Sequence, residues 1–289
     1  MTSKQCPRCE GNGWLTRAGK NHAEAVTCEC VATCKKCRGQ GLTRIEREGG
    51  FAEMVVCPCG ITDLRKRIEL YNRAQIPPRF FRSQIDRYQA KNDDQATVKQ
   101  TLLRIRDSFV GSLGIGLHGP PGVGKTHLLT ALAGWMTLIG GKEVVYTDFS
   151  NLVARLRAGF DNGVGENRLI EPIAEVQVLM IDELGKGRAT EWERGVIDRI
   201  ISHRYNAQLP TFYATNYAIP DMAAATTNVD MEFQESLKSR LGSRVWSRLQ
   251  EMSSPVYLGG QDFRARQPAT RPSRAAGRSG VSPVPPKRG

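Results

Sequence analysis

Residues 119–126 read Gly-Pro-Pro-Gly-Val-Gly-Lys-Thr, and no other stretch restricts the fold of this chain as tightly. The apolar run Leu113–Leu117 before them has the composition of a buried strand, and His127–Ile139 after them repeats apolar residues at helical spacing. Strand, glycine-rich loop and helix in that order make a phosphate cradle. The glycines let backbone N–H groups turn toward one centre, and the helix N-terminus adds partial positive charge. The expected nucleotide-binding loop is Gly119, Pro120, Pro121, Gly122, Val123, Gly124, Lys125 and Thr126. Lys125 would reach the β- and γ-phosphates of ATP, and the Thr126 hydroxyl would hold magnesium. The rival reading, a Gly-Pro turn ahead of an ordinary helix, leaves the preceding strand unexplained.

A second element of such a site lies 57 residues beyond Lys125, where the apolar run from Val176 ends in Asp182 and Glu183. Asp182 is expected to hold magnesium, through water, and Glu183 to polarise the water that attacks the γ-phosphate. A third strand, 211–216, delivers Asn216, whose amide could orient that water. Between these, Ser150 reads as the cap of a helix over 151–158, 161–165 as a loop, and 191–206 as a helix. Residues 233–252 read as one helix presenting Arg240, Arg244 and Arg248, followed by a short strand 255–258 and Asp262-Phe-Arg264.

All eight cysteines lie within residues 6–59, as two copies of one pattern. Cys6-x-x-Cys9-x-Gly-x-Gly and Cys34-x-x-Cys37-x-Gly-x-Gly are followed, after 18 and 19 intervening residues, by Cys28-x-Cys30 and Cys57-x-Cys59. Four thiolates per unit suit tetrahedral zinc, giving two zinc ions per chain, and the intervening residues read as small hairpins whose folding metal would drive. Sequential ligand sets, Cys6/Cys9/Cys28/Cys30 and Cys34/Cys37/Cys57/Cys59, compete with an interleaved arrangement. Disulfides are disfavoured by the absence of a secretion signal, and a thioredoxin-like redox role by the lack of a βαβ unit beside one CxxC. His22 falls at a hairpin tip and is not needed as a ligand. The CxxCxGxG strings resemble the zinc region of DnaJ-type chaperones, although only two are present and no His-Pro-Asp signature accompanies them.

Net charge is +12, unevenly spread. Residues 111–264 hold 15 basic and 17 acidic side chains, whereas 1–60 hold 9 and 6, 61–110 hold 11 and 6, and 265–289 hold 6 and none. Basic flanks on a near-neutral core suggest a polyanionic partner, above all nucleic acid. No apolar stretch reaches the roughly 20 residues that span a bilayer, so the expectation is a cytoplasmic chain with no membrane contact. The expected organisation is a tandem zinc-binding domain (1–60), a linker helix ended by Pro77-Pro78 (61–80), an ATPase domain (81–264) and a disordered basic tail (265–289) that binds nucleic acid or only aids solubility.

Residues 76–264 resemble the AAA+ ATPase domain of the DnaC, DnaI and IstB group of helicase loaders and transposition helpers. The resemblance rests on Ile76-Pro-Pro-Arg-Phe80, Gly119–Thr126, Ile181-Asp-Glu-Leu184, Ala214-Thr-Asn216, Ser243-Arg-Val-Trp-Ser-Arg-Leu249 and Asp262-Phe-Arg264. It implies an α/β fold with a parallel sheet and a small helical lid, and self-association with ATP between subunits. It also implies Asn216 as sensor 1, Arg248 as an arginine finger acting on a neighbour, with Arg244 as the alternative, and Arg264 as a sensor-2-like contact. The partners it implies are a replicative DNA helicase and single-stranded DNA. A transposase helper, and a zinc-dependent peptide-binding module with a structural nucleotide site, are the other readings.

Overall fold

A computed structural model describes residues 6–31, 33–47, 50–109, 111–220 and 235–264. Two antiparallel hairpins come first, β1 (Trp14–Ala18) with β2 (Ala23–Thr27), and β3 (Leu42–Glu46) with β4 (Ala52–Val56). Helix α1 (Ile61–Arg73) follows, buries Leu64 and Tyr71, and stops ahead of Pro77-Pro78, where only a single 3₁₀ turn (Pro78–Phe80) forms. Helix α2 (Asp93–Ser108) begins at Asn92, whose side chain accepts the Gln95 N–H.

The remaining strands, β5 (Gly114–His118), β6 (Val144–Asp148), β7 (Val178–Asp182), β8 (Thr211–Thr215) and β9 (Ser253–Tyr257), form one parallel sheet in the order β6-β7-β8-β5-β9. Strands β5, β7 and β8 are buried at every position, because helices cover both faces of the sheet. Alternate side chains then feed two cores: Val178 and Met180 join one with α1, α2 and α3 (Lys125–Leu138), while Leu179 and Ile181 join the other with α4 (Phe149–Asp161), α5 (Glu166–Ala174), α6 (Glu191–Asn206) and α8 (Ser243–Met252). Ala23 and Ala25 of the first hairpin belong to the α3-side core. No helix among the described residues is long and apolar enough to cross a membrane.

Two expectations need correction, and one helix has no counterpart among them. Helix α4 is capped by Asp148, whose carboxylate accepts the Asn151 N–H, and Ser150 lies inside the helix; the strand runs directly into the helix, so the cap is the strand's last residue. Helix α5 follows the 162–165 turn unannounced, because Pro172 and its short amphipathic face (Ile170, Ile173) hide it among polar residues. The span from 233 to 252 is not one helix: Phe233 lies outside the described residues, and Gly242, at φ 89°, separates α7 (Leu237–Leu241) from α8. These two helices, the stretch expected to carry the lid arginines, precede β9 and pack alongside α6. The expected tail, 265–289, lies outside the described residues.

Candidate functional site

The loop between β5 and α3 turns through Gly119 (φ 147°), Gly122 (φ 80°) and Gly124 (φ 103°), a backbone region open to glycine and strained for other residues. Space excludes a side chain as well, since a Cβ at Gly119 would stand 2.2 Å from the Leu258 carbonyl oxygen and one at Gly124 2.8 Å from the Tyr88 ring. Three contacts pin the loop: the Tyr88 hydroxyl donates to the Val123 carbonyl (2.9 Å), Phe263 N–H to the Gly122 carbonyl (3.1 Å), and Leu258 N–H to the His118 carbonyl (2.7 Å). Lys125 Nζ donates to the carbonyls of Gly119 (2.7 Å) and Pro120 (2.6 Å). Burial pushes this lysine down to about 8, against the attraction of Asp182.

Asp182 closes β7 almost fully buried, with the Tyr146 hydroxyl donating to its Oδ2 at 2.7 Å and the Glu183 N–H to its Oδ1 at 2.9 Å. Glu183 takes a left-handed backbone (φ 51°), a strained conformation of the kind found at functional turns, and its carboxylate pairs with the Lys186 ammonium. Register sets Asp148 beside Asp182 on the adjacent strand. Burial, then the Glu183 and Asp182 charges, raise the Asp148 carboxyl above the ordinary range despite the backbone bond from Asn151. The three carboxylates thus interact across the adjacent ends of β6 and β7, and two of them, Asp182 and Glu183, border the cleft.

These pieces meet in one cleft of about 380 Å³. Pro121, Gly122, Gly124, Lys125 and Thr126 line one wall, Asp182, Glu183 and Asn216 another, and Arg264 a third. Gly119, Pro120 and Val123 shape the loop without lining the cleft; Val123 is fully buried beneath it. Arg248 lies elsewhere, on α8, donating to Asp198 and Ser202 of α6. Residues given no role of their own in the sequence reading also line it, among them Arg79 and Phe80, Arg87 and Tyr88, His127 and Phe263. Nothing in linear spacing marks Tyr146, whose hydroxyl reaches Asp182 only through strand pairing. The glycine cradle, buried ammonium and carboxylate cluster fit a magnesium nucleotide.

The cysteines gather as Cys6/Cys9/Cys28/Cys30 and Cys34/Cys37/Cys57/Cys59, each with its four sulfurs within 4.8 Å of one another. The sequential grouping is therefore the one the fold brings together. The sulfur pairs, Cys6–Cys28 at 3.9 Å, Cys9–Cys30 at 3.4 Å and both Cys34–Cys57 and Cys37–Cys59 at 3.7 Å, are far from an S–S bond of about 2.05 Å. They approach the edge of about 3.8 Å of a tetrahedron with metal–sulfur bonds of about 2.3 Å. Backbone N–H groups of the CxxC turns lower Cys6 to about 7 and Cys34 to about 6, whereas a bond shared with Cys9, and burial, push Cys30 up to about 12. Four thiols sharing one point ionise together only around a cation, so each cluster could hold zinc. His22 is in neither.

A family profile described as IstB-like ATP binding protein matches residues 55–240. The replicative helicase loader DnaC of Escherichia coli K12 is 25% identical over 178 residues, covering 61% of this chain and 70% of that protein. The replicative helicase loader DnaI of Bacillus subtilis is 29% identical over 155 residues, covering 52% and 47%. A crystal structure of the DnaC helicase loader superposes with a TM-score of 0.53 at 29% identity, over 63% of this chain and 99% of that one. The profile spans the phosphate loop, the Asp182-Glu183 strand end and Asn216, all of which border the cleft. The chain belongs to the IstB-like ATP binding protein family, an ATPase family of AAA+ fold.

Proposed function

We propose that this protein is an ATP-dependent loader that delivers a replicative DNA helicase to single-stranded DNA during replication initiation, with ATP binding and hydrolysis as its assembly switch. The observation carrying this reading is the single cleft that joins the glycine loop, Asp182, Glu183, Asn216 and Arg264, in a chain similar to helicase loaders across 70% of DnaC. Lys125 supplies charge to the phosphates, and Thr126 and Asp182 hold magnesium, which would neutralise charge developing on the phosphates. Glu183 accepts the proton of the attacking water, Asn216 orients that water, and Arg264 contacts phosphate in cis. An arginine of α8, Arg248 or Arg244, completes the site of a neighbouring copy in an oligomer. Each cysteine cluster holds one zinc, and the N-terminal hairpins dock the helicase.

The test is a loading assay with the full zinc-containing chain, its cognate helicase and circular single-stranded DNA coated with single-strand-binding protein. Helicase on the DNA only when this protein and ATP are both present supports the reading. Helicase loading that is indifferent to the protein would overturn it. The family profile also favours a second reading, an ATPase helper of a transposase. Stable binding of a transposase together with failure to bind the helicase would favour that alternative.

A further inference from the structure

The two cysteine units are copies of one pattern, but the fold covers one and leaves the other bare. Counted from Cys9 and Cys37, Trp14 and Leu42 are equivalent; counted back from Cys28 and Cys57, Ala25 matches Met54 and Ala23 matches Ala52. In the first unit α1 and the turn after it close the outer edge of β2. Ala25 N–H donates to Asn72 Oδ1 (2.6 Å), Asn72 Nδ2 donates to the Ala25 carbonyl (3.1 Å), and Ala23 N–H donates to the Ile76 carbonyl (2.7 Å). Ala23 and Ala25 are fully buried there, and Trp14 packs against the same core.

The second hairpin keeps the same register, with Arg44 opposite Met54 as Thr16 is opposite Ala25. Arg47–Phe51 and Gly41–Cys57 are hydrogen-bonded across the hairpin, so by alternation Arg44 and Met54 form a pair whose backbone groups point outward. The face that carries Ala23 and Ala25 in the first unit here carries Leu42, Met54 and Val56 at 44%, 57% and 64% exposure. Where the first unit has Ala25 and Thr27, this one has the larger apolar Met54 and Val56. An exposed apolar strand edge invites association, and a patch of this kind marks an interaction site. Arg44, in the middle of the face, has no ion-pair partner among the described residues, so a carboxylate opposite it would be complementary.

We propose that this face of the β3–β4 hairpin is the helicase-docking surface. It takes one amphipathic helix of the helicase, laid along β4 as α1 is laid along β2. That helix presents apolar side chains to Leu42, Met54 and Val56, a hydrogen-bonding side chain to the Met54 backbone, as Asn72 does for Ala25, and a carboxylate to Arg44. The proposal rests on the loader reading above and adds which of the two units engages the helicase, and through which surface.

The experiment measures binding of the full zinc-loaded chain to the purified cognate helicase, for wild type, Met54→Glu and Arg44→Glu, with Glu53→Gln on the opposite face of β4 as control. Zinc content and ATP affinity report whether each variant keeps its fold. Both face variants should bind at least about tenfold more weakly, with zinc and ATP affinity unchanged and the control equal to wild type. If Met54→Glu lost zinc, Arg44→Glu alone would decide, since its side chain leaves the apolar contacts in place. Wild-type binding that both variants match would overturn the surface and leave the loader reading standing. A wild type that does not bind the helicase would overturn both. A chain that dimerises without helicase, and that Met54→Glu renders monomeric, would assign the face to a second copy and end the proposal.

Discussion

Arg248 Nη1 lies 3.0 Å from Asp198 Oδ1, so the arginine proposed to act on a neighbour's ATP is held within its own chain. Ser202 Oγ, 2.8 Å away, and the Tyr205 ring beneath its guanidinium complete the seat, leaving the side chain 21% exposed. Arg244, one turn earlier, is 71% exposed and 3.6 Å from the same carboxylate. For Arg248 to serve in trans it must exchange this seat for the neighbour's phosphates, whereas Arg244 has only a weak surface pair to give up.

Mixing separates the two arginines. Arg248→Ala and Lys125→Ala should each hydrolyse ATP poorly, and an equimolar mixture should recover activity, because a Lys125-intact site can borrow Arg248 from the other variant. Fingers in trans are worth about 10³–10⁵ in rate in well-studied NTPases, and a smaller factor is expected for a slow assembly switch. A mixture that assembles yet stays as inactive as its parts rejects Arg248, and the same experiment with Arg244→Ala then tests the exposed alternative.

Lys125→Ala and Glu183→Gln should fail differently. The first removes the buried ammonium and should abolish measurable ATP binding, whereas the second should bind ATP near wild-type affinity and hydrolyse it at least about 10²-fold more slowly. Equilibrium binding of a fluorescent ATP analogue, together with single-turnover hydrolysis, checks both. Wild-type turnover by Glu183→Gln would remove Glu183 from the catalytic role.

Tyr146→Phe tests a positioning role. The hydroxyl holds Asp182 Oδ2 at 2.7 Å, and loss of a partner that orients a metal-holding carboxylate typically costs about 10–100-fold in metal affinity. The magnesium concentration for half-maximal hydrolysis should rise about tenfold, while ATP binding without magnesium stays near wild type. An unchanged magnesium dependence would make this hydrogen bond purely structural.

Burial of Lys125 has a pH consequence. With its pKa held down to about 8, the lysine is largely neutral above that pH, and phosphates bound beside it restore the charged form. Nucleotide binding should therefore take up a proton at about pH 8.5 and none at about pH 6.5, where the lysine is already charged. Calorimetry in buffers of different ionisation enthalpy measures the uptake. Lys125→Arg, always charged, should abolish it; uptake that persists in that variant would place the proton elsewhere.

The two cysteine units should respond unequally to loss of metal. Ala23 and Ala25 sit in the main core, so Cys28→Ser should lower the melting temperature of the whole protein as well as remove one zinc. Cys57→Ser should also remove one zinc but leave the main transition nearly unmoved, because the described residues of the β3–β4 hairpin contribute nothing to that core. Equal shifts in scanning calorimetry would contradict this difference in packing.

The features legible in sequence are those whose geometry is local. A phosphate loop announces itself because Gly119, Gly122 and Gly124 must adopt backbone angles other residues avoid, and buried strands betray themselves as apolar runs such as Val178–Ile181. The cysteine spacing likewise marks two four-sulfur units. What tertiary structure decided are contacts between segments far apart in the chain, which leave no periodic trace. Strand pairing alone brings the Tyr146 hydroxyl to Asp182 and sets Asp148 beside it, and helix packing alone seats Arg248 on Asp198. The same holds for the repeats: near-identical patterns predict alike hairpins, yet one is buried under α1 and the other is not. Asn72 and Ile76 reach only the first, and a single helix can cover only one of two equivalent edges.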